Sequence, residues 1–554
     1  MGKILIAAYL ITSISLSSIG QTLDTPTKVA NFIKVWGFLK YYHPSIASGN
    51  FDWDSVFVNH VNNIINAKNA LQLDNEILTL INSVDKPKKV ESHKLPDSLF
   101  TMNKVNTNWI SNSKTFNNKI KNHLRYIYDN KNQDANKYIK IVNETADFSG
   151  EKKYDSIGFP NMNYRLLFLA RFWNIINYFA PYKYLTTNWD DVLAKFIPSI
   201  INSNERLSYY TTLQRLSKSL KDGHSQLAIN GQMLSDLFFG NYTPPFYCEI
   251  LDGRVVVRNV GTDSVAKYLN IKQGDIVLKI DGEEVTKIIA YKRTYISSSN
   301  EADEIHQLSR FILDGQTSKA VLEIKRDNRI IKTTITRIST QSRDWGAMIN
   351  YTYNDAGYKK LNDSVLLIYA MQIWKGNIDT IKYLIKRSKA VIFDVRNYPQ
   401  NDDFFSIADP FLSEPKTIDY STISLPQQPG LFKWKSNPNK IGHVSDSAYK
   451  GKVIILCDER TQSQGEYSCM VLQIIPGCVT IGSQTAGADG IVTNIPMGNG
   501  VTISYSGYGV YYPDETQTQR VGIKIDIPVK KTIEAVKNNK DEILDRALQY
   551  IYSK

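Results

Sequence analysis

Hydrophobic patterning changes twice along the chain, and each regime predicts a different architecture. Up to about residue 220, apolar and aromatic positions recur at helical spacing. Over 247–251, 255–257, 275–280, 318–324 and 330–335 the pattern becomes short apolar alternation, which predicts a small β domain; a helix-like run lies at 308–313. Beyond residue 341, strand-length apolar runs at 364–369, 389–395, 452–457 and 478–482 alternate with helical periods at 378–387 and 464–475. That alternation predicts an α/β core with several parallel strands. Further sheet is expected at 501–510, a terminal helix at 541–551, and a long loop over 415–443. The expected fold is a multidomain α+β chain. Its parts are an N-terminal helical domain with an insertion (21–160), a second helical unit leading into the core (161–240), a β domain (241–340) and an α/β core (341–554).

The helical part is duplicated. Trp36 through Pro44 is an aromatic helix ending at a proline, followed by Trp53 and a helical pattern through Val56, Phe57 and Val61. Phe172 through Pro181 repeats this design, followed by Trp189 and a pattern through Val192, Phe196 and Ile200. Two copies do not make a solenoid; the aromatics are expected to fill a core.

Composition narrows the class. The 554 residues are 42% hydrophobic and 22% charged, as in a globular protein of several domains. The net charge of +12 is spread along the chain and accompanied by no zinc-finger or RNA-binding signature, so nucleic acid is not the expected partner. Lys3 precedes an apolar stretch over 4–14 and small residues up to Gly20; residues 1–20 are expected to be a signal peptide and the protein exported, periplasmic or secreted. No later stretch is long and apolar enough to span a bilayer. Cys248, Cys457, Cys469 and Cys478 have neither disulfide-framework nor zinc-ligand spacing and are expected to be packing residues. No metal or cofactor motif occurs.

Two places carry candidate chemistry. Ser463 stands in the polar turn between the 452–457 strand and a helix, with Glu466 three residues on. The pair reads either as a capping box or as a nucleophilic serine at a strand-to-helix turn. His224 follows Asp222-Gly223 after a helix, where it serves as a surface residue, a cap or a base. His43 reads as structural, and the other five histidines have no recognisable partner pattern.

These residues resemble the S41 serine peptidases, the carboxyl-terminal-processing and tricorn-core-like proteases, and most closely their exported Bacteroidetes-type members. Ser463-Gln-Gly-Glu466 resembles the family's Ser–x–x–Glu nucleophile turn. Residues 389–396 resemble the strand leading to its oxyanion loop. Residues 274–282 resemble the core of its PDZ-like domain, and 522–529 its C-terminal Gly–Ile–x–x–Asp–Ile–x–Val ending. The resemblance covers most of 160–554 and implies an embedded PDZ-like domain and a ClpP/crotonase-like core. It implies a serine endopeptidase acting on exported proteins or peptides, with the PDZ-like block holding or gating substrate. Many members pair Ser with a Lys about 25 residues later; here that position is Ala488, and no Lys or Arg occurs from Thr461 to Gln519. The tricorn-like arrangement instead takes a His base from an Asp-Gly-His segment, which makes His224 the base. Glu515 is the first candidate for the orienting acid, then Asp514, with Gln517 also near that position and Asp489 a further candidate. Glu466 is expected to brace the turn. The oxyanion hole is expected from the N–H groups of Gln464 and Gln400. The family's Gly-rich loop is replaced by Asn-Tyr-Pro-Gln-Asn at 397–401, and this departure admits an alternative, a catalytically degenerate peptide- or ligand-binding protein.

Overall fold

The computed structural model describes residues 23–91, 106–186, 188–260, 268–343, 356–400, 402–444 and 448–553. The segment expected to be a signal peptide, 1–20, lies outside them.

The duplicated motif forms two matching helix pairs, Thr25–Tyr42 with Trp53–Asn66 and Met162–Phe179 with Trp189–Ile201. Each pair is closed by the same exchange of indole hydrogen bonds. Trp36 and Trp53 each donate Nε1–H to the other's carbonyl at 3.0 Å, and Trp173 and Trp189 do so at 3.0 and 3.1 Å. All four indoles are buried, so the aromatics are core. The long helices meet at Gly37, where a Cβ would lie 2.0 Å from Asn174 Cγ. Asn174 bridges them, its Nδ2 donating to Ile33 O and Ala170 O.

Charge is buried in the same place. Lys40 of the first copy pairs with Glu151 (2.7 Å) and Asp54 (3.3 Å), and Arg171 of the second pairs with Asp54 (2.8 Å) and Glu151 (3.1 Å). Arg171 Nη1 also donates to Pro496 O at 3.0 Å, in a strand of the catalytic half. The two cations balance the two carboxylates, and the Asp54 carboxyl is held down to about 2 by Lys40 and Arg171 against the opposing effect of its burial.

The β domain is an antiparallel sheet in the order Arg329–Thr336, Lys319–Arg326, Ile276–Ile280, Arg254–Asn259, Tyr247–Leu251, with Glu283–Glu284 beside Ile276–Ile280. Its helix Glu301–Phe311 packs at the Tyr247–Leu251 edge, where Ser309 Oγ accepts the Ile250 N–H at 2.9 Å. Lys531 joins this edge to the core by pairing with Glu249 (2.9 Å), Asp458 (3.0 Å) and Glu459 (2.6 Å).

The core sheet runs Tyr358–Lys360, Val365–Tyr369, Ala390–Asp394, Lys452–Cys457, Val479–Gly482, Ile527–Pro528, parallel except for its first pair. Side chains alternate between two buried faces. Ile368, Phe393 and Ile455 meet Ile407, Met470 and Val471 on one; Leu367, Ile392 and Ile454 meet Ile543 and Ala547 on the other. The terminal helix is Glu542–Tyr552. Burial on both faces explains the nearly unbroken apolar runs. The four cysteines are unpaired, and Cys248, Cys457 and Cys469 are buried. No helix among the described residues is long and apolar enough to cross a membrane.

The 415–443 stretch differs from the loop expected. Tyr420–Ser424 pairs on one side with Phe432–Trp434 and on the other with Gly509–Tyr511, and Lys416–Thr417 pairs with Lys440–Ile441. Its alternation is too short to read locally, because half the pairing comes from a strand far along the chain. Sheet at 501–510 is split into Val501–Ser506 and Gly509–Tyr511, and the first half joins Val492–Pro496 and Leu227–Ile229. The segment after His224 is thereby built into the catalytic half.

Replacing Arg171 by Leu strands the carboxylates of Asp54 and Glu151 without one of their two cations and removes the tie to Pro496. The expected cost is about 3–5 kcal/mol of unfolding free energy, read by urea denaturation of the full chain. A change below about 1 kcal/mol would show that the cluster does not hold the lobe together.

Candidate active site

Strand Lys452–Cys457 ends inside the sheet, and helix Gln464–Gln473 begins after a short turn. Ser463 caps that helix at φ 53° and ψ −120°. A non-glycine residue there carries strain of roughly 1–3 kcal/mol and persists only where surrounding bonds enforce it. The enforcing bonds are visible. Ser463 N–H donates to Ala488 O at 2.9 Å. The fully buried Glu466 carboxylate accepts from Thr485 Oγ1 (2.5 Å), Gly487 N (2.7 Å) and Ala488 N (2.9 Å). Thr485 Oγ1 accepts in turn from Ile523 N at 2.9 Å. A Cβ on Gly522, which has φ +79°, would lie 2.4 Å from that hydroxyl. The glycine opening the 522–529 motif is thus needed for close approach. Burial raises the Glu466 carboxyl to about 7, against the lowering by those hydrogen bonds. Ser463's side chain makes no capping bond, so Glu466 braces the turn without a capping box.

His224 sits on a tight turn fixed by Asp222. Asp222 Oδ1 accepts the His224 N–H at 3.0 Å, an Asx-type closure over two residues. Strand Val501–Ser506 grips the turn: Ser504 Oγ donates to His224 O (2.6 Å), and Ser506 N donates to Asp222 Oδ2 (2.7 Å). The ring contact is His224 Nδ1 with Ser506 Oγ at 2.9 Å, and Ser506 Oγ donates to Asp222 Oδ1 at 2.9 Å. The hydroxyl has one proton, and a carboxylate only accepts. Ser506 therefore gives its proton to Asp222 and accepts from Nδ1–H, leaving Nε2 as the basic nitrogen of a neutral ring. Burial lowers the His224 pKa from its ordinary value, and Asp222 partly opposes this.

The two turns meet. A Cβ built on Gly223 would lie 3.0 Å from Gln462 Nε2, 3.0 Å from Ala488 Cβ and 2.6 Å from Asp303 Oδ2. Gln462 precedes Ser463, and Ala488 holds the Ser463 N–H. Only a glycine lets the histidine turn approach this closely. A third segment, from the β domain, rivets both. Ser299 Oγ accepts the Gly223 N–H (2.8 Å), Asp303 Oδ2 accepts the Ser299 N–H (3.1 Å), and Asn300 Nδ2 donates to Thr485 O (2.8 Å). Burial pushes Asp303 up to about 7.

Of the other expected residues, Gln464 and Asp489 lie beside Ser463 and the rest stand apart. Glu515 lies on an exposed turn at φ +63°, its N–H donated to Tyr512 O, and no described contact links it to His224. Asp514 pairs with the exposed Lys524 at 2.8 Å, and Gln517 accepts from Tyr184 OH. Nδ1 faces Ser506 instead, and the carboxylate reached through that hydroxyl is Asp222. Asp489 is buried, with Oδ1 accepting the Gly490 N–H. Gln464 is the first residue of the nucleophile helix. Gln400 is exposed, in a loop whose Pro399 Cδ would be 3.8 Å from a Cβ on Gly465. That loop lies over the helix start; Asn401 is outside the described residues. Sequence reasoning passed over Ser506, Ser299, Asn300 and Thr485. Asp222 had a readable signal in its spacing to His224; the other four had none.

Ser463, Gln464 and Asp489 line a cavity of about 700 Å³ walled by aromatic rings, among them Tyr398, Phe405, Tyr467 and Tyr508.

Residues 365–529 match the model of Peptidase family S41. A mutant form of CPAF is similar in structure at a TM-score of 0.55 and 14% identity, covering 71% of this chain and 98% of that one. Mature CPAF complexed with lactacystin follows at 0.53 and 13%, covering 70% and 97%. At such identities the likeness is one of fold. No curated protein matches the chain. The family match spans the strand, the Ser463 turn, the helix and the C-terminal motif that packs on Thr485, so residues 365–529 of this chain are similar to Peptidase family S41.

Proposed function

We propose that the chain is an endopeptidase that cleaves exported proteins or peptides through an acyl-enzyme on Ser463, with His224 as general base. The observation that carries this reading is the close approach of Gly223, next to His224, to Gln462 and Ala488 beside a strained, helix-capping Ser463, with His224 Nδ1 tied through Ser506 to Asp222. Nε2 accepts the Ser463 Oγ proton as Oγ attacks the peptide carbonyl. The imidazolium then protonates the departing amine, leaving an ester on Ser463. Water, losing a proton to the neutral His224, attacks the ester, and the returned proton restores Ser463. Gln464 N–H, at the positive end of the nucleophile helix, and Gln400 N–H, in the loop over Gly465, are assigned to the oxyanion. A main-chain donor needs no particular side chain, so the Asn-Tyr-Pro-Gln-Asn loop is compatible with the role. Asp222 and Ser506 are positioning residues. The β domain, PDZ-like in this reading, delivers a substrate segment to a site it helps to assemble. The polar-then-apolar start over 1–20 marks the protein for export.

A fluorophosphonate probe is expected to label the wild type and to fail on both Ser463→Ala and His224→Ala, with peptide hydrolysis falling by at least about 10³-fold in each. Wild-type protein that neither labels nor cleaves a broad peptide library would leave the degenerate binding protein as the better reading.

The labelling rate also has a predictable pH profile. His224 pKa is lowered by burial, so the ring stays neutral and basic to more acid pH than an ordinary histidine. The acid limb is expected below pH of about 6.5; a limb above that value would contradict the assignment of the base.

Asp222→Asn and Ser506→Ala are expected to lower kcat by about 10²–10⁴-fold, with KM within about threefold, because they lose the correct tautomer and orientation without touching substrate. Glu515→Ala is expected to leave kcat within about threefold of wild type. Full activity in Asp222→Asn together with collapse in Glu515→Ala would return the orienting role to Glu515.

A further inference from the structure

The cavity beside Ser463 holds one group that neither the proton relay nor the brace uses. Asp489 is 3% exposed. Its Oδ1 accepts the Gly490 N–H at 2.7 Å, and Oδ2 has no hydrogen-bond partner among the described residues. It lines the cavity together with Ser463 and immediately follows Ala488, whose carbonyl holds the Ser463 N–H. We propose that Asp489 is the specificity-determining residue of this peptidase and selects lysine or arginine at the position that supplies the scissile carbonyl. The proposal rests on the Ser463 peptidase reading.

Three features support a cationic occupant. First, the charged groups acting on Asp489 are carboxylates, Glu466 and Asp419, and no Lys or Arg occurs between Thr461 and Gln519. Lys440 lines the same cavity but is exposed. A buried acid without a cation is costly unless a ligand supplies one. In a chain of net charge +12 this buried group of acids runs against the overall balance. Second, the walls suit a long aliphatic stem with a charged head. The rings of Tyr398, Phe405, Tyr467 and Tyr508 offer apolar surface to methylenes and π faces to an ammonium or guanidinium. Third, the location fits. A residue whose carbonyl lies at Ser463 Oγ presents its own side chain to the cavity wall that begins one residue past Ala488.

Burial and the Glu466 charge push the Asp489 carboxyl well above its ordinary range. An incoming cation replaces the carboxyl proton as the counter-charge, so preference for a basic side chain should grow as pH rises.

The test uses the full chain and fluorogenic tripeptide amides differing only in their last residue: Lys, Arg, Phe, Leu or Glu. The expected kcat/KM for Lys and Arg exceeds that for Phe and Leu by about tenfold or more, with Glu the poorest. In Asp489→Asn the Lys-to-Phe ratio is expected to fall by about tenfold, while Asp489→Glu keeps a ratio above one. The ratio is taken within one variant, so a general loss of activity does not mimic the effect. If Asp489→Asn does not fold, the wild-type series decides: equal or better cleavage after Phe or Leu overturns the proposal. If the wild type labels at Ser463 yet shows no basic preference, the specificity proposal fails and the peptidase reading stands. If it neither labels nor cleaves, both fail.

Discussion

A single buried carboxylate holds the reactive turn in shape. Glu466 lies on the first turn of the nucleophile helix and gathers the Thr485 hydroxyl and the Gly487 and Ala488 N–H groups. The segment it fixes returns the Ala488 carbonyl to the Ser463 N–H. Remove the carboxylate and buried donors lose their acceptor, at about 1–3 kcal/mol each. That is comparable with the strain stored at Ser463 φ 53°, so the backbone would relax toward an ordinary helix cap. The cap and the proposed nucleophile therefore share one geometry. A normal cap turns its hydroxyl onto the helix; here the carboxylate has taken over the bracing, and the hydroxyl makes no capping bond.

The same logic extends to the inserted β domain. Its 299–303 segment bonds Gly223 on one side and Thr485 on the other, and Lys531 ties its edge strand to Asp458 and Glu459 just before the nucleophile turn. The histidine turn precedes the insertion in the chain and the serine turn follows it, and the insertion is the common partner of both. Arg171, through Pro496, gives the helical lobe a similar hold on the strand that follows the 482–490 segment. Each accessory domain is fastened to a different edge of one site.

This explains what the sequence revealed. The α/β core was legible because strands buried on both faces must be continuously apolar. The indole pairs were legible because a duplicated packing solution repeats its residues. Ser463 stood out because it occupies a strand-to-helix turn with Glu466 three residues on, and His224 because it follows Asp222 and Gly223, a glycine required by close approach. The orienting group was not legible. His224 and Ser506 are 282 residues apart, and a serine in an alternating strand looks like any half-buried strand position. Glu515 drew attention as an acid near the expected place, but its turn projects into solvent. Asn300 and Ser299 read as an ordinary helix start, and their second set of partners exists only once three segments converge.

Convergence also sets the electrostatics. Asp222, Asp303, Glu466 and Asp489 are all buried around the two turns, and burial holds Asp303 and Glu466 near 7. Carboxylates this close in a low-dielectric region resist ionising together. The same crowd of acceptors favours a positive charge appearing among them. Burial favours the neutral form of His224, and in the proposed mechanism the charge it would acquire on taking the serine proton develops beside Asp222, the group that raises its pKa. In the proposed mechanism burial would therefore supply a free base at rest, and Asp222, alone of these carboxylates, would stabilise the imidazolium at the moment of transfer. The cost of collecting them is met in folding, before substrate arrives, so it does not add to the barrier of the proton transfer.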